Sequence, residues 1–433
     1  MRKTYDEAVA YILDIPKFTS KNTLDDTKIF LQQLGNPENE LKIIHIAGTN
    51  GKGSVCAYLD AMLQAQGKMV GRFTSPHLLR INERMVMNGQ EITDEAFLEV
   101  FHQVFAHVQL LEQRGVPHPT FFEFIFGMAL LAFVQARVEY AVLETGLGGR
   151  LDATNAVAKK VITGITAIGM DHMEQLGNTI GLIAAEKAGI IRAKVPLFYA
   201  DTEAESNQVI EAKAKEEQCL CVKIGKDDIQ ILETGDNYIA FFYGNAYDGT
   251  NRWRLANPAP YQAFNAALGI AMMTHLFGEE GNQPAWRDAL AKVVWAGRME
   301  EVLPDIYLDG AHNETAIASF TESIPKDGRE NLVLFGAVSD KDYPKMIQIL
   351  CERMDVTEYV VTHLPNERGV ETAELARVFR RYTTRPVIKK EDVKEAVTYI
   401  KEQQGGRRIY CVGSLYLVGV LKAYLHPSTA STN

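Results

Sequence analysis

A glycine-rich stretch early in the chain has the residue types of a phosphate-binding loop. Residues 45–54 read HIAGTNGKGS. A P-loop needs a glycine, four residues and then Gly-Lys-Ser/Thr, because consecutive backbone N–H groups surround the phosphates while the lysine and a hydroxyl complete the site. Here Ile46 stands where the first glycine belongs, and Gly53 separates Lys52 from the hydroxyl of Ser54. The strict motif is absent, and a plain βα turn is the alternative.

The residues on either side of this loop predict a strand before it and a helix after it. The run LKIIHIA (41–47) is short, apolar and β-branched, and residues 54–67 carry apolar side chains at helical spacing before they end at a glycine. The first turn of a helix has free N–H groups, which favour an anion in front of it. A plain turn does not need a lysine between two glycines, so we interpret the loop as an anion site.

A second candidate lies at the end of another predicted strand. The run VLETGLGGRLDATN (142–155) places Glu144 directly after apolar residues and ahead of three glycines. Ligands of open parallel sheets gather beyond the carboxyl ends of the strands. A carboxylate there, near a phosphate loop, supplies the hard oxygen that Mg²⁺ prefers. The alternative is a glutamate that caps a helix or pairs with Arg150.

A third predicted strand, VITGITAIG (161–169), is followed by Asp171 and His172. A lone histidine is more often a satisfied polar residue than a metal ligand. The position of His172 favours a metal ligand, because neighbouring parallel strands end at one edge of a sheet. We therefore expect Lys52, Glu144 and His172 to lie at the same edge.

Further candidates stand downstream. Lys187 lies in a predicted helix (183–191), where residue type alone favours a solvated side chain. Arg298 lies at a predicted domain junction, where it would neutralise phosphate charge in an interdomain pocket. The C-terminal half adds polar residues at strand ends, namely Asp309, His312, Asn313 and the run GSLY (413–416).

Predicted strands alternate with helices over most of the 433 residues, which indicates an α/β fold with a mostly parallel sheet. Residues 222–256 differ, since their short alternating pieces predict a hairpin or a small antiparallel patch. A second α/β series starts near residue 300. We therefore predict two domains, 1–296 and 297–433, divided near WAGRME (295–300).

The composition excludes several classes of protein. A net charge of -10 argues against broad nucleic-acid binding, although it permits a local basic site. The most apolar window, residues 121–134, is short for a membrane span and contains Glu123, so we predict a buried helix. The amino terminus does not resemble a signal peptide, and five scattered cysteines suit a reducing compartment, so we expect a cytoplasmic protein. Cys219 and Cys221 lack a second pair at zinc spacing, and we predict no metal site there.

Together these motifs resemble the folylpolyglutamate synthases and dihydrofolate synthases, within the ATP-dependent Mur-type peptide ligases, whose loop reads G-T-N-G-K-x-S/T. The matching segments occur in family order: GTNGKGS (48–54), TSPHL (74–78), NER (82–84), TFFEF (120–124), ETGLGGRLDATN (144–155), MDH (170–172), EKAGI (186–190), FN (264–265), GR (297–298), LDGAHN (308–313) and GSLY (413–416). The resemblance implies an N-terminal P-loop ligase domain that binds ATP and the pterin-bearing substrate, and a Rossmann-like C-terminal domain that helps to bind glutamate.

The resemblance also implies roles for individual residues. The ATP site would comprise Asn50, Gly51, Lys52, Gly53, Ser54, Asn265, Arg298 and Asp309. One Mg²⁺ would bind Ser75 and Glu144, which replaces Ser54 as the hydroxyl ligand. A second Mg²⁺ would bind His172 near Lys187, which in this family resembles the lysine that takes up CO₂ to become N-carboxylysine. The residues nearest the glutamate or the reacting carboxylate would be His312 and Ser414, and the pteroate pocket would be lined by Thr120, Phe121, Phe122, Glu123, Leu151, Asp152 and Ala153.

The implied activity is ATP-dependent ligation of L-glutamate to tetrahydrofolate or other reduced folates through an acyl phosphate, with conversion of dihydropteroate to dihydrofolate as an additional reaction. A monomer that binds no membrane or nucleic acid is implied, and a monovalent cation is a further possible cofactor. A folylpolyglutamate synthase with that single function is the main alternative. A cell-wall Mur ligase would carry an N-terminal uridine-nucleotide domain, for which we expect no room before residue 48, and a switch ATPase would not need LDGAHN or GSLY.

Overall fold

The computed structural model describes residues 3–17, 23–244 and 252–425. Its strands form a large mixed sheet, a small antiparallel sheet and a second mixed sheet. The strands are β1 (Lys42–Ala47), β2 (Val70–Phe73), β3 (Met85–Met87), β4 (Gln90–Glu91), β5 (Tyr140–Glu144), β6 (Ile162–Ile165), β7 (Leu197–Ala200), β8 (Cys221–Ile224), β9 (Ile229–Thr234), β10 (Ile239–Tyr243), β11 (Arg252–Leu255), β12 (Glu300–Leu303), β13 (Ile306–Leu308), β14 (Asn331–Phe335), β15 (Glu358–Thr362), β16 (Val387–Lys390) and β17 (Arg408–Val412).

Helices connect most of these strands and cover the sheets. They are α1 (Tyr5–Asp14), α2 (Leu24–Gln33), α3 (Lys52–Ala65), α4 (Asp94–Glu112), α5 (Phe121–Gln135), α6 (Met173–Leu176), α7 (Ile180–Ala188), α8 (Ala204–Glu216), α9 (Pro260–Phe277), α10 (Gln283–Leu290), α11 (Glu314–Glu322), α12 (Tyr343–Arg353), α13 (Thr372–Tyr382), α14 (Val393–Glu402) and α15 (Leu415–Leu425). Short 3-10 turns occur at Pro37–Glu40, Ile81–Arg84, Ala153–Ala156, Lys226–Asp228 and Gly278–Glu280.

The first sheet has the order β4-β3-β2-β5-β1-β6-β7-β8. Strands β2, β5, β1, β6, β7 and β8 pair in parallel in this order. Strands β3 and β4 add an antiparallel edge beside β2. Helices α3 and α9 pack together on one face, whereas α1, α4 and α5 cover the other. Parallel strands require such crossovers. The predicted α/β class is therefore confirmed.

Helix α5 is the buried helix that the apolar window predicts. Thr120 caps its first turn, and the side chain of Glu123 accepts a hydrogen bond from the backbone N–H of Thr120. Aromatic side chains along the helix, among them Phe124 and Phe126, are completely buried. No helix in the described ranges is both long enough and apolar enough to span a bilayer.

The small sheet contains β9, β10 and β11, all antiparallel. The prediction of an antiparallel patch from residue 222 is wrong for β8, which pairs in parallel with β7 at the edge of the large sheet. The physical reason is that α8 crosses over between these strands and returns the chain in the same direction. The change to antiparallel pairing therefore begins one strand later than predicted.

The second sheet has the order β12-β13-β17-β14-β15-β16, parallel except for β12. The apolar runs of β13, β14, β15 and β17 predict strands, whereas β12 and β16 are short edge strands with partly exposed residues and weak patterns. Helix α10 packs on α3 of the first half, and β12 opens the second half. The predicted boundary between residues 296 and 297 lies in the segment that joins them, and its exact position stays a prediction.

Candidate active site

The site lies where three adjacent parallel strands of the first sheet end. Because β5, β1 and β6 are neighbours, the loop after β1, Glu144 at the end of β5 and the segment after β6 meet at one edge. The order of strands thus brings together the three strand ends that the sequence pattern placed at one edge. Each of these segments contributes polar groups to the space beyond the sheet.

The glycine-rich loop has a shape that side chains would not permit. Gly48 has φ +146°, and a Cβ atom there would lie 1.9 Å from Thr166 Oγ1. Gly51 has φ +91°, and a Cβ atom there would lie 2.3 Å from Asn265 Oδ1. Both are positions where only glycine fits. The loop therefore approaches α9 and the end of β6 closely.

Two lysines share the carbonyl of Gly48. Lys52 Nζ lies 3.1 Å from this oxygen and 3.2 Å from the carbonyl oxygen of Thr49. Lys187 Nζ, from α7, lies 2.7 Å from the same Gly48 oxygen. The ammonium group of Lys52 makes the region next to the loop positive, which suits a polyanionic ligand, and Lys187 brings a second amine to the same carbonyl.

The burial of Lys187 contradicts the expectation from residue type, which favoured a solvated lysine. Lys187 is only 3% exposed, because α7 packs directly under the second glycine-rich loop, residues 146–149. A Cβ atom at Gly149 would lie 2.8 Å from the carbonyl oxygen of Glu186. Burial, together with the positive charge of Lys52, lowers the pKa of Lys187 to about 7. The amine is thus far easier to deprotonate than an ordinary lysine.

Glu144 is buried and directed toward the same region. Its Oε2 atom accepts a hydrogen bond of 3.0 Å from the backbone N–H of Ser75. Burial raises the pKa of Glu144, while Lys52, the Ser75 N–H group and Arg298 oppose the increase. The alternative pairing with Arg150 is excluded, since Arg150 bonds Glu186 at 2.8 Å.

The second half of the chain contributes Asp309 and Arg298 to the cleft. The Asp309 carboxylate accepts hydrogen bonds from the Tyr261 hydroxyl at 2.9 Å, the Met299 N–H at 2.9 Å and the Ala311 N–H at 2.8 Å. Arg298 lies so close to the next strand end that a Cβ atom at Gly310 would be 2.2 Å from its Nη1 atom. Asp309 therefore connects the end of β13 with α9 through Tyr261 and with the joining segment through Met299.

Asp171 makes polar contacts between the two halves. Lys341 Nζ lies 2.5 Å from Asp171 Oδ1, and His312 Nε2 lies 3.7 Å from Oδ2. His172 is more exposed and has a left-handed backbone with φ 49°. Burial lowers the pKa of His312 to about 4, although Asp171 opposes the decrease, so His312 is neutral at physiological pH. Sequence reasoning missed Lys341, although it follows the end of β14 and the strand-end rule could have found it.

The aromatic segment and the segment after the second glycine-rich loop are packed together. The ring of Phe122 lies so close to Gly146 that a Cβ atom there would be 2.8 Å away. Asp152 is buried, and its carboxylate accepts hydrogen bonds from Leu147 N–H and from the N–H and hydroxyl groups of Thr154. The remaining predicted pocket residues differ in exposure: Phe121, Glu123 and Ala153 are buried, Thr120 is partly buried and Leu151 is 65% exposed.

The remaining predicted residues lie near the start of α3 and before α15. Asn265 Nδ2 donates a hydrogen bond of 3.1 Å to Gln262, and its Oδ1 atom faces the backbone of Gly51. Ser54 is buried in the first turn of α3. Ser414 is buried before α15, where its hydroxyl accepts a hydrogen bond of 3.1 Å from the Tyr416 N–H.

A cavity of about 840 Å³ opens beside these groups. Residues from both halves of the chain line it, among them Gly53, Ser75, Glu144, Trp295, Arg298 and Leu415. Its volume is in the range of sites for nucleotides and small substrates. The cavity thus connects the glycine-rich loop with the strand-end carboxylate and the interdomain arginine.

The donor groups at this edge suit a magnesium ion shared with phosphates. Within the described ranges, no cluster of three or more His, Cys, Asp or Glu side chains could hold a metal on its own. Mg²⁺ does not need one, because it is bound through one or two carboxylates together with water and phosphate oxygens. The buried carboxylate of Glu144, next to the backbone of Ser75, is a donor of this kind.

Comparisons with known proteins agree with this arrangement. Residues 46–273 match the model of the Mur ligase middle domain, and residues 297–415 match the Mur ligase glutamate ligase domain. Fold and site thus define a ligase of the Mur type.

The chain is 34% identical to the dihydrofolate synthase/folylpolyglutamate synthase of Bacillus subtilis, over 98% of this chain and 100% of that protein. It is 32% identical to the dihydrofolate synthetase of Saccharomyces cerevisiae, over 90% and 95% of the two chains. The folylpolyglutamate synthase structure from Thermotoga maritima superposes with a TM-score of 0.84 at 30% identity and covers 99% of this chain and 98% of that one.

The structure of Escherichia coli FolC in complex with DHPP and ADP also has a TM-score of 0.84, at 27% identity, with 98% of both chains covered. The chain belongs to the folylpolyglutamate synthase/dihydrofolate synthase family of ATP-dependent acid–amino-acid ligases. The resemblance found in the sequence motifs is thereby confirmed.

Proposed function

We propose that this protein joins L-glutamate to reduced folates with conversion of ATP to ADP and phosphate, and that it also converts dihydropteroate to dihydrofolate. One observation carries the proposal: Gly53 of the glycine-rich loop, Glu144 and Arg298 line one cavity, to which both halves of the chain contribute. The near full-length similarity to a bacterial protein named for both reactions supports the pair of activities. We further propose that it acts as a monomer in the cytoplasm.

The nucleotide would lie on the loop from Asn50 to Ser54. The first turn of α3 presents backbone N–H groups to the phosphates. Lys52 is already at the loop, and Arg298 lines the adjoining cavity. Asn265 would complete this site from α9, and Asp309 would complete it from the second half by positioning the segment that carries Arg298.

Ser75 and Glu144 would hold one Mg²⁺, and His172 with Lys187 a second. Bound Mg²⁺ would offset the negative charge on the phosphates and on the group that is transferred. Because burial lowers its pKa to about 7, Lys187 can present the neutral amine that conversion to N-carboxylysine requires. In that reaction the amine nitrogen bonds to the carbon of CO₂ and loses a proton, so an anionic oxygen donor replaces a cation. A monovalent cation remains a possible additional cofactor.

Amide formation needs an activated carboxylate, because a free carboxylate is a poor electrophile. The carboxylate oxygen of the folate or pteroate substrate would attack the γ-phosphorus of ATP and release ADP, giving an acyl phosphate. Lys52 and Arg298 would balance the charge that moves during this transfer. The amino group of glutamate would then attack the acyl carbon, and phosphate would leave from a tetrahedral intermediate. His312, which is neutral, and Ser414 lie on the half of the chain that would supply glutamate.

The pteroate pocket is proposed at the contact of the aromatic segment with the loop after Glu144. Thr120, Phe121, Phe122 and Glu123 come from the start of α5, and Leu151, Asp152 and Ala153 from the other segment. The packing of Phe122 against Gly146 supports the pairing of these segments. Asp152 and Glu123 already have hydrogen-bond partners within the chain, so their role would be to shape the pocket.

The decisive experiment is a pair of product assays with one preparation, ATP, Mg²⁺ and glutamate. One tube receives dihydropteroate and the other tetrahydrofolate, and mass spectrometry resolves the products. Glutamylated product in both tubes is the expected result. Product with tetrahydrofolate alone would leave a folylpolyglutamate synthase with a single function, and ADP without ligated product would contradict the proposal and favour an ATPase.

A further inference from the structure

The two halves of the chain meet at Asp171, directly beside the phosphate loop. Its carboxylate is 9% exposed and lies 2.5 Å from Lys341 Nζ, whose side chain is 11% exposed. The side-chain amide of Asn313 donates a hydrogen bond of 3.2 Å to the other carboxylate oxygen. Removing one member of a largely buried pair leaves the other without compensation. This contact therefore favours the arrangement in which the halves are together.

Asn313 extends the contact to the phosphate loop itself. Its Nδ2 atom donates to Asn50 Oδ1 at 3.1 Å, and Asn50 Nδ2 donates back to Asn313 Oδ1 at 3.2 Å. The same Oδ1 atom accepts a hydrogen bond from Ala316 N–H and caps α11. One side chain thus connects the loop, Asp171 and a helix of the second half.

The segment that carries Asp171 is also bound to the loop. The carbonyl of Ala167 accepts hydrogen bonds from the N–H groups of Thr49 and Asn50 at 2.9 and 3.1 Å. Thr315 packs so closely on Gly169 that a Cβ atom there would be 2.6 Å from its Oγ1. Any shift of the second half at this point therefore acts on the residues proposed to hold the phosphates.

We propose that Asp171, Lys341 and Asn313 are positioning residues that hold the two halves together over the phosphate loop while the acyl phosphate exists. This inference rests on the proposed ligase function. When the contact opens, water attacks the acyl carbon, the bond between this carbon and the phosphate oxygen breaks, and carboxylate, phosphate and a proton are released. ATP is then consumed without formation of an amide.

The test is the number of ADP molecules formed per ligated glutamate. The wild-type protein should form one ADP per amide. Lys341→Met should form about three or more and should ligate about tenfold more slowly, as expected when closure is impaired. Lys341→Arg keeps the cation and should restore the wild-type ratio. Asn313→Ser keeps an N-cap acceptor for α11 but cannot reach Asp171, so it should uncouple as well.

Asp236→Asn is the matched control. Asp236 also forms an ion pair between the halves, at 3.4 Å from Arg408, but its side chain is exposed. Arg408 begins β17, whereas the site lies beyond the opposite end of that strand. The control variant should keep one ADP per amide, because a general loosening of the protein does not by itself admit water at the acyl phosphate.

One ADP per amide in Lys341→Met would overturn the inference. A wild-type protein that makes no amide would instead defeat the proposed function, and small-angle X-ray scattering with ADP then tests the contact without the reaction. A larger radius of gyration for Lys341→Met than for the wild type supports the contact as a closure device, and equal radii overturn it.

Discussion

Two buried carboxylates end strands in the two halves of this protein, and their partners differ. Glu144 has one hydrogen bond from the backbone, whereas Asp309 has two from N–H groups and one from a tyrosine hydroxyl. Burial raises the pKa of both. A carboxylate with many internal donors holds structure together, and one with few leaves oxygen lone pairs for a ligand. The comparison assigns binding to Glu144 and positioning of the interdomain segment to Asp309.

The largest effect is expected for Glu144→Gln. Loss of the carboxylate charge should lower glutamate ligation about 100-fold or more, because the anionic oxygen donor for the metal is gone. The free energy of unfolding should not fall, since a buried charge has become a neutral amide. Product assays and urea denaturation measure both quantities. Glu139→Gln, which breaks an exposed ion pair with Lys42, is the control. A free energy of unfolding that falls in Glu144→Gln as much as in Asp309→Asn would contradict the comparison.

Asp309→Asn should behave in the opposite way. Its amide places donors where Tyr261, Met299 and Ala311 already donate, so the free energy of unfolding should fall by about 2–4 kcal/mol. Ligation should decrease together with stability. Tyr261→Phe removes only one donor and should cost about 1 kcal/mol. If Asp309→Asn is inactive but as stable as the wild type, Asp309 acts on the substrate and the assignment is wrong.

Lys187 adds a pH dependence to the binding side of the comparison. Its folded-state pKa of about 7 lies below the usual value of 10.5. Between these values the unfolded chain holds a proton that the folded chain lacks, so stability should rise with pH by up to about 1.4 kcal/mol per unit. Urea midpoints in CO₂-free buffer with a chelator, measured in this window, should show the slope. Lys187→Met should lack this contribution, and an equal slope in the two proteins would refute the buried amine.

The smallest effect is expected at Phe122, under the loop that follows Glu144. Phe122→Leu keeps an apolar side chain but loses the flat ring against Gly146. The KM for dihydropteroate should rise about three- to tenfold, which corresponds to roughly 1 kcal/mol of lost contact. The KM for tetrahydrofolate should change less. Equal changes for both substrates would show that the two do not differ in their use of this pocket.

Sequence reasoning predicted that three strand ends with polar residues meet at one edge, and the strand order brings them together. Strands β5, β1 and β6 have clear apolar patterns, and parallel topology brings their ends together. The burial of Lys187 was not predictable from its residue type, since it depends on α7 packing under a loop more than thirty residues earlier in the chain. The strands β2, β3 and β4 were not predicted either, because they are short. The position of Ser75 beside Glu144 depends on the pairing of β2 with β5.

The hydrogen bonds of Lys52 have a consequence for affinity. In the folded protein its ammonium group is already fixed by the carbonyls of Gly48 and Thr49. A free lysine side chain loses about 2 kcal/mol of rotamer entropy when it is ordered. Here that loss occurs during folding, so a nucleotide that takes over the ammonium group does not have to order the side chain a second time.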